Sequence, residues 1–105
     1  MPFLAYDLAL ELVRKLRVPL AELRRHDADL ARQATRALAS VPLNIAESNG
    51  RVGRDRQHLR RIALGSLREL GAALEVATAL GVFDAAPLAA ERDRLCGLIY
   101  GAQRS

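Results

Sequence analysis

The stretch VPLNIAESNGR, residues Val41 to Arg51, places a proline inside a segment whose apolar pattern predicts a helix. Apolar residues recur here every three or four positions, as Leu30, Ala34, Leu38, Val41 and Ile45. The stripe passes Pro42 without a change of phase, so we predict one helix with a local kink. The kink costs about 3 kcal/mol, because Pro42 cannot donate a bond to the carbonyl of Leu38. The alternative is that Pro42 begins a new short helix after a break.

Further helical segments follow from the same kind of pattern on either side of this stretch. The predicted helices run from Phe3 to about Val18, from Asp27 or Asp29 to Asn49, from about Asp55 to Gly81, and from about Pro87 to Gln103. Pro19 disfavours helical geometry at the residue before it and is predicted to mark a turn. Asn49 and Gly50 predict the end of the second helix, because both residues tolerate positive φ. Short joints between long helices indicate antiparallel neighbours, so the predicted fold is all-α, an up-down antiparallel four-helix bundle.

The composition fits one helical domain, which we predict to span residues 1–105. Half of the residues are apolar, yet there are only two phenylalanines, two tyrosines and no tryptophan, so the core is expected to consist of Leu, Ala, Ile and Val. The single cysteine, Cys96, excludes an intrachain disulfide. No signal peptide and no apolar run of about 20 residues is seen, which predicts a cytoplasmic protein without a membrane partner.

The first helix carries more apolar surface than a lone bundle is expected to cover. Its apolar arc spans well over half of the circumference of the helix, whereas a surface helix of a small bundle needs an apolar stripe only about 100° wide. The residues of this arc are Tyr6, Leu8, Leu10, Leu12, Val13 and Leu16. Excess apolar surface of this kind is typical of interfaces, so we predict a homo-oligomer.

Polar residues near the proline are predicted to support the fold. Asn44 falls on the inward side, where a side-chain amide needs hydrogen-bond partners. We predict that Asn44 and Glu47 bond to the third helix near Ser66 and Glu69, or bond across a subunit contact. The alternative is an active site, but no histidine lies on either stripe beside the two carboxylates. Gly65, next to Ser66, is predicted to let two helices approach closely.

No arrangement of residues predicts catalysis, a metal or a cofactor. A bundle di-iron site needs a Glu from each of two helices and a Glu-x-x-His from each of the other two. Asp55 and His58 supply one similar pair at a helix start, which is typical of a solvated helix end. Cys96 is predicted to pack as a small apolar residue. The letters GRVG, residues 50–53, match the nucleotide-clamping loop of KH domains, but no strands accompany them, so we predict a turn.

Arginine is concentrated at the start of the third helix. Six arginines fall within eighteen residues, namely Arg51, Arg54, Arg56, Arg60, Arg61 and Arg68. Asp55 is the one acid in that window. Four more arginines occur on the adjacent helix and its approach, at Arg24, Arg25, Arg32 and Arg36. With a formal net charge of +4, this pattern predicts phosphate binding by Arg51, Arg54, Arg56, Arg60 and Arg61. The alternative is an ordinary solvated face.

The stretch SVPLNIAESNGR, followed by HLRRIALGSLRELGAAL, resembles the bacterial four-helix-bundle proteins named after the intervening sequences of 23S ribosomal RNA genes. That family's pattern is close to S-I-P-L-N-I-A-E-G-x-G-R, then a helix with A-x-G-S-x-x-E-L. The matching residues are Ser40, Pro42, Asn44, Ile45, Ala46, Glu47, Gly50, Arg51, Ala63, Gly65, Ser66, Glu69 and Leu70. Ser48 stands where the family usually has a glycine. The left-handed backbone conformation at the end of the helix would then be adopted by Asn49 or Gly50.

This resemblance implies a homopentamer of four-helix bundles. It also implies kinship with the accessory variability proteins of diversity-generating retroelements, which bind nucleic acid and a reverse transcriptase. The main hypothesis is therefore a non-catalytic oligomer that binds DNA or RNA through its arginines. Few aromatic side chains are present for base stacking, so little sequence preference is expected. The alternative is a protein-interaction scaffold without a nucleic-acid ligand, whose partner is a reverse transcriptase or another protein.

Overall fold

The computed structural model describes the backbone of residues 2–104 and the side chains of residues 4–101. Four helices follow one another, α1 (Pro2–His26), α2 (Ala28–Asn49), α3 (Gly53–Ala79) and α4 (Ala89–Arg104), with a single 3-10 turn (Ala86–Leu88) before the last. No strand occurs within residues 2–104. The predicted all-α class is confirmed.

The helices form a ring around one apolar core. Helix α2 packs between α1 and α3, and α4 closes the ring against α3 and α1. The largest side chains that are fully buried are Leu12, Leu16, Leu23, Val41, Leu70, Leu74, Leu95 and Ile99. Because the joints are short, consecutive helices run antiparallel, and the up-down four-helix bundle is confirmed. Among the described helices, none is both long enough and apolar enough to cross a bilayer.

Helix α1 continues through Pro19 for seven further residues, so the predicted turn at this proline is wrong. The buried stripe explains the difference, because Leu16, Leu20 and Leu23 keep helical spacing across the proline and are 0–6% exposed. Burying a leucine stabilises the fold by about 1.5–3 kcal/mol, and two such residues after the proline offset its cost of about 3 kcal/mol. The helix therefore ends only where the stripe ends.

A single residue, Asp27, joins α1 to α2. Its carboxylate Oδ1 accepts a bond of 3.0 Å from the backbone N–H of Leu30, which is an N-cap on α2. Its own N–H donates to the carbonyl of Leu23 at 2.7 Å. Asp27 thus ends one helix and begins the next, and because α1 and α2 pack along each other across this one-residue joint, they run antiparallel.

Helix α2 is unbroken at Pro42, as predicted, and the proline ring is buried. The helix ends after Asn49, also as predicted, but Gly50 has φ −94° and not a left-handed value. Ser48 is fully buried and its hydroxyl donates to the carbonyl of Ile45 at 2.7 Å. The N–H groups of Gly50 and Arg51 bond to the carbonyls of Glu47 and Ser48, each at 3.1 Å, and these i to i−3 bonds close the helix end without positive φ at Gly50.

Positive φ occurs instead at the two ends of α3. Gly53 begins the helix with φ 61°, two residues before the predicted start at Asp55. Gly81 has φ 78° just past the other end, where the N–H of Val82 bonds to the carbonyl of Ala77 at 3.1 Å. This is a Schellman arrangement, and it confirms Gly81 as the residue that ends the third helix.

The wide apolar arc of α1 is largely covered within the chain, contrary to the argument from sequence. Tyr6, Leu8 and Val13 pack against the core from the flanks of α1. Among the described large apolar residues of α1, only Val18 is strongly exposed, at 70%. Large apolar side chains are exposed elsewhere, at Leu43, Val52, Ile62, Val76, Leu80 and Tyr100.

Candidate functional site

A short polar chain links α2 to α3 beside Pro42. The amide Nδ2 of Asn44 donates to the backbone carbonyl of Ser40 at 2.8 Å and to its hydroxyl Oγ at 2.9 Å. The hydroxyl of Ser66 on α3 donates to the same Ser40 Oγ at 2.7 Å. Asn44 and Ser66 therefore belong to one network, as predicted, but Ser40 mediates the contact. All three residues are half-buried, which makes their hydrogen bonds worth more than exposed ones.

Glu47 and Glu69 lie outside this network, so the predicted bond between α2 and α3 does not include them, and a bond across a subunit contact stays a prediction. Both are exposed, and Glu47 pairs with Arg51 at 3.2 Å. Glu47 lies about 60° farther round α2 from the buried stripe of Val41 and Ile45 than Asn44 does, so Glu47 faces solvent while Asn44 stays at the flank of α3. Gly65 is exposed too, and a Cβ added there would have no atom within 4 Å. At Gly71, a Cβ would lie 2.5 Å from Nη1 of Arg92, which is the far end of a flexible side chain that can move aside.

The other residues considered for chemistry are separate from one another. Asp55 and His58 are both exposed on the first turns of α3. No group of three or more potential metal ligands comes together in the described part of the chain. Cys96 is half-buried and packs against the apolar core, as predicted.

The five arginines predicted to bind phosphate surround the start of α3 in two settings. Arg51 is held by acids, with Nη2 at 3.2 Å from Glu47 and Nη1 at 3.8 Å from Asp55. Arg56 is half-buried, and its Nε donates to the backbone carbonyl of Arg51 at 2.8 Å. Arg60 is half-buried as well, and burial lowers its pKa, with the nearby charge of Arg56 lowering the pKa further. The side chains of Arg51, Arg56 and Arg60 are therefore partly occupied by contacts within the protein.

Arg54 and Arg61 are exposed, and among the described side chains neither guanidinium group has a hydrogen bond or an ion pair. They are seven residues apart, so they lie on one face of α3 about 10.5 Å apart along its axis. Arg68 continues the same row after another seven residues, and it too is exposed. Guanidinium groups in a row can hold several phosphates, because each offers a planar fork of N–H donors.

The arginines of the neighbouring segment do not extend this row. Helices α2 and α3 are antiparallel, and Ser40 lies level with Ser66, so Arg32 and Arg36 lie toward the opposite end of α3 from Arg54. The chain therefore carries two separate basic regions, one at the start of α3 and one where α1 meets α2. Sequence reasoning missed this separation and the part of Ser40, although Ser40 precedes Asn44 by one helical turn.

The comparisons with known proteins agree with the fold. The sequence profile described as 23S rRNA-intervening sequence protein matches residues 3–100. No curated protein and no solved structure matches the chain. The profile covers the four helices almost completely, including the polar network and the arginines at the start of α3. The chain therefore belongs to the family of 23S rRNA-intervening sequence proteins.

Proposed function

We propose that this protein is a non-catalytic homo-oligomer, a pentamer, that binds DNA or RNA with little sequence preference. The observation that carries this proposal is the row of exposed, unpaired guanidinium groups of Arg54 and Arg61 at the start of α3. Arg51, Arg56 and Arg60 border this row and raise the local positive potential. The binding residues of the proposal are Arg51, Arg54, Arg56, Arg60 and Arg61.

The electrostatics favour a polyanion over a small ligand. The N-terminal end of α3 adds the positive end of its dipole to the arginine charges. The exposed pairs of Arg51 with Glu47 and Asp55 are worth about 0–1 kcal/mol, so phosphate can displace them. No Asp or Glu other than Asp55 occurs between Arg51 and Arg68 to oppose a phosphate backbone.

Sequence-tolerant binding follows from the kinds of side chain available. Contacts to phosphate carry affinity but no sequence information. Base stacking needs aromatic rings, and the chain has two tyrosines, two phenylalanines and no tryptophan. Of the described aromatic residues, none lies within Arg51–Arg68. We therefore expect similar affinity for unrelated sequences of equal length.

Assembly would multiply a weak contact. The number five in this proposal comes from the resemblance of the SVPLNIAESNGR and ALGSLREL motifs to the pentameric family. Apolar side chains exposed on α2 and α3, such as Leu43 and Ile62, are available for subunit contact. Several copies of the row on one ring would bind a single nucleic-acid strand together, so avidity would exceed the affinity of one subunit.

The test is the binding of fluorescently labelled single-stranded RNA and DNA at several salt concentrations. Affinity should fall by roughly 0.7–0.9 log units per log unit of salt for each phosphate contacted. The variant Arg54→Gln with Arg61→Gln should bind more weakly and show a shallower salt slope. The matched control is Arg17→Gln with Arg24→Gln, which removes the same charge from exposed positions on α1.

Two results would contradict the proposal. One is binding that does not respond to salt, and the other is equal loss of affinity in the matched control, which would indicate a general charge effect. In either case a protein-interaction scaffold becomes the better description, with a reverse transcriptase or another protein as its partner. We also propose a cytoplasmic location, whether the partner is a nucleic acid or a protein, because Cys96 is a free thiol that packs on the core.

A further inference from the structure

A groove runs between α1 and α2 on the face opposite the contact of α1 with α4. Its larger part has a volume of about 540 Å³, and its apolar lining comes from Val13, Leu20, Ala21 and Leu38. A second part of about 320 Å³ adjoins it, since Arg24 and Thr35 line both. The depth comes from short side chains, because Ala21 and Thr35 stand where larger residues would fill the space.

The charged residues that line this groove are all positive. Five arginines line its two parts, namely Arg14, Arg17, Arg24, Arg32 and Arg36, and no acidic residue lines either. Among the described side chains, the guanidinium groups of Arg17, Arg24 and Arg36 have no hydrogen bond or ion pair. Arg14 and Arg32 pair only with Glu11 and Asp29 on their own helices, and all four of these side chains are largely exposed. Such surface pairs are weak, so these arginines can turn to another anion.

The charges are distributed along the length of the groove. Arg17 and Arg24 are seven residues apart, which is about 10.5 Å along α1, and Arg14 lies a further turn back. A ligand with one charged head would leave most of these guanidinium groups unused. A nucleic-acid backbone would match the charges but would cover the apolar floor with phosphate and sugar. The groove instead matches an occupant with an apolar ridge and acidic residues along its flank.

We propose that this groove binds an acidic amphipathic helix of a partner protein. The apolar ridge of that helix would pack on Leu20, Ala21 and Leu38, and acidic residues spaced by seven would meet Arg17 and Arg24. A helix in an apolar groove is a recurring mode of peptide recognition. This surface lies away from the arginine row at the start of α3, so the inference does not depend on the proposed nucleic-acid site.

The test uses a fluorescein-labelled synthetic helix with leucines on one face and glutamates along both flanks, measured by anisotropy. We expect saturable binding that Arg17→Glu with Arg24→Glu weakens by about tenfold or more. Ala21→Leu should also weaken binding, because leucine fills the groove without changing its charge. Arg54→Gln with Arg61→Gln should leave peptide binding unchanged. Circular dichroism and thermal melting confirm that each variant is folded.

Several outcomes would overturn this proposal. These are no binding of the peptide, equal binding of a peptide with lysines in place of the glutamates, and undiminished binding by the Arg17 and Arg24 variant. If Ala21→Leu lowers the oligomer mass, the groove is a contact between copies of this chain and not a site for a partner. If Arg17→Gln with Arg24→Gln abolishes RNA binding while Arg54→Gln with Arg61→Gln leaves it intact, the groove serves nucleic acid and the peptide proposal is overturned. If RNA binding is lost only in the variant Arg54→Gln with Arg61→Gln, this result bears on the proposed nucleic-acid site and not on the peptide groove.

Discussion

The hydroxyl of Ser66 donates a 2.7 Å hydrogen bond to the hydroxyl of Ser40, and this bond ties α3 to α2 at mid-height. Ser40 accepts at the same time from the amide of Asn44, through both its hydroxyl and its backbone carbonyl. Ser40 thus connects two polar groups that the apolar core would otherwise leave unsatisfied. A polar contact at one level sets which turns of the two helices face each other, since any sliding along the axis breaks it.

We expect Ser40→Ala and Ser66→Ala each to lower the free energy of unfolding by about 1 kcal/mol, the usual contribution of one hydrogen bond. Because both substitutions remove the same bond, the double variant should cost clearly less than the sum. Urea denaturation at one protein concentration measures these differences. Gln33→Ala, an exposed position on α2, is the neutral control. Strict additivity of the two serine substitutions would show that the bond contributes no stability.

The course of α1 shows how far local rules predict this fold. Pro19 predicts a turn, yet Leu12, Leu16, Leu20 and Leu23 are spaced by four, four and three, and all are buried. That spacing was present in the sequence and indicates a continuous helix. The two free energies must be compared, because the cost of one proline inside a helix is about as large as the gain from burying two leucines. At Pro42 the same reasoning from the apolar stripe gave the right answer.

The polar contacts were harder to predict than the helices. The inward position of Asn44 follows from helical spacing, but its partner depends on rotamers and on how closely α2 and α3 approach. The nearest partner was Ser40, one turn away on the same helix, and only Ser40 reaches Ser66. The groove between α1 and α2 could not be predicted either, because its shape depends on the packing of two helices and not on either one alone.

Two exposed glycines with different backbone angles should respond to alanine in opposite directions. Gly65 lies inside α3 with open space around its Cβ position, whereas Gly53 has φ 61°. Gly65→Ala should raise the free energy of unfolding by about 0.5–1 kcal/mol, since alanine loses less chain entropy in a helix. Gly53→Ala should lower it by about 1–2 kcal/mol, because a side chain is strained in the left-handed region.

Thermal denaturation at matched protein concentration compares the two glycine variants directly. They serve as controls for each other, since both add one methyl group to α3 at an exposed position. Stabilisation by Gly53→Ala would mean that the turn before α3 differs from the structure described here. A lower oligomer mass with Gly65→Ala would indicate that Gly65 lies in a subunit contact.

The ion pair between Lys15 on α1 and Glu91 on α4 should give stability a defined dependence on alkaline pH. Nζ of Lys15 lies 2.7 Å from Oε1 of Glu91, and this hydrogen bond raises the pKa of the lysine above its ordinary value. A raised folded pKa stabilises the fold below the unfolded pKa, which is about 10.4 for lysine. The contribution is lost as pH rises through the folded value. The difference in melting temperature between the wild type and Lys15→Gln should therefore be constant from neutral pH to about pH 10, and it should disappear as pH rises through the folded pKa of Lys15.

The control for this experiment is Arg14→Gln. Arg14 also forms an exposed ion pair, with Glu11 at 3.2 Å, but a guanidinium group does not lose its proton in this range. Its difference from the wild type should stay level across the same pH series. A Lys15→Gln difference that persists unchanged past the titration of lysine would mean that the pair is absent in solution.

The exposed apolar residues beside the serine network point to the face through which the proposed oligomer assembles. Leu43 follows Ser40 by three residues on α2, and Ile62 precedes Ser66 by four on α3. Because the helices are antiparallel and Ser40 meets Ser66, both apolar residues lie at the same level of the bundle. Leu43 is 67% exposed and Ile62 39% exposed. Two large apolar side chains at one level form a patch of the kind that subunit contacts cover.

We therefore expect Leu43→Asp with Ile62→Asp to reduce the oligomer to monomers at micromolar concentration, because each carboxylate would lose its hydration in the contact. Light scattering coupled to size-exclusion chromatography measures the mass. Val18→Asp is the matched control, since Val18 is 70% exposed on α1, and it should leave the mass unchanged. The intact bundle should persist in all variants, because none of these side chains belongs to the buried core.

A wild-type protein of monomer mass would end the proposal of self-association. Retention of the full mass by the Leu43 and Ile62 variant would place the contact on another face.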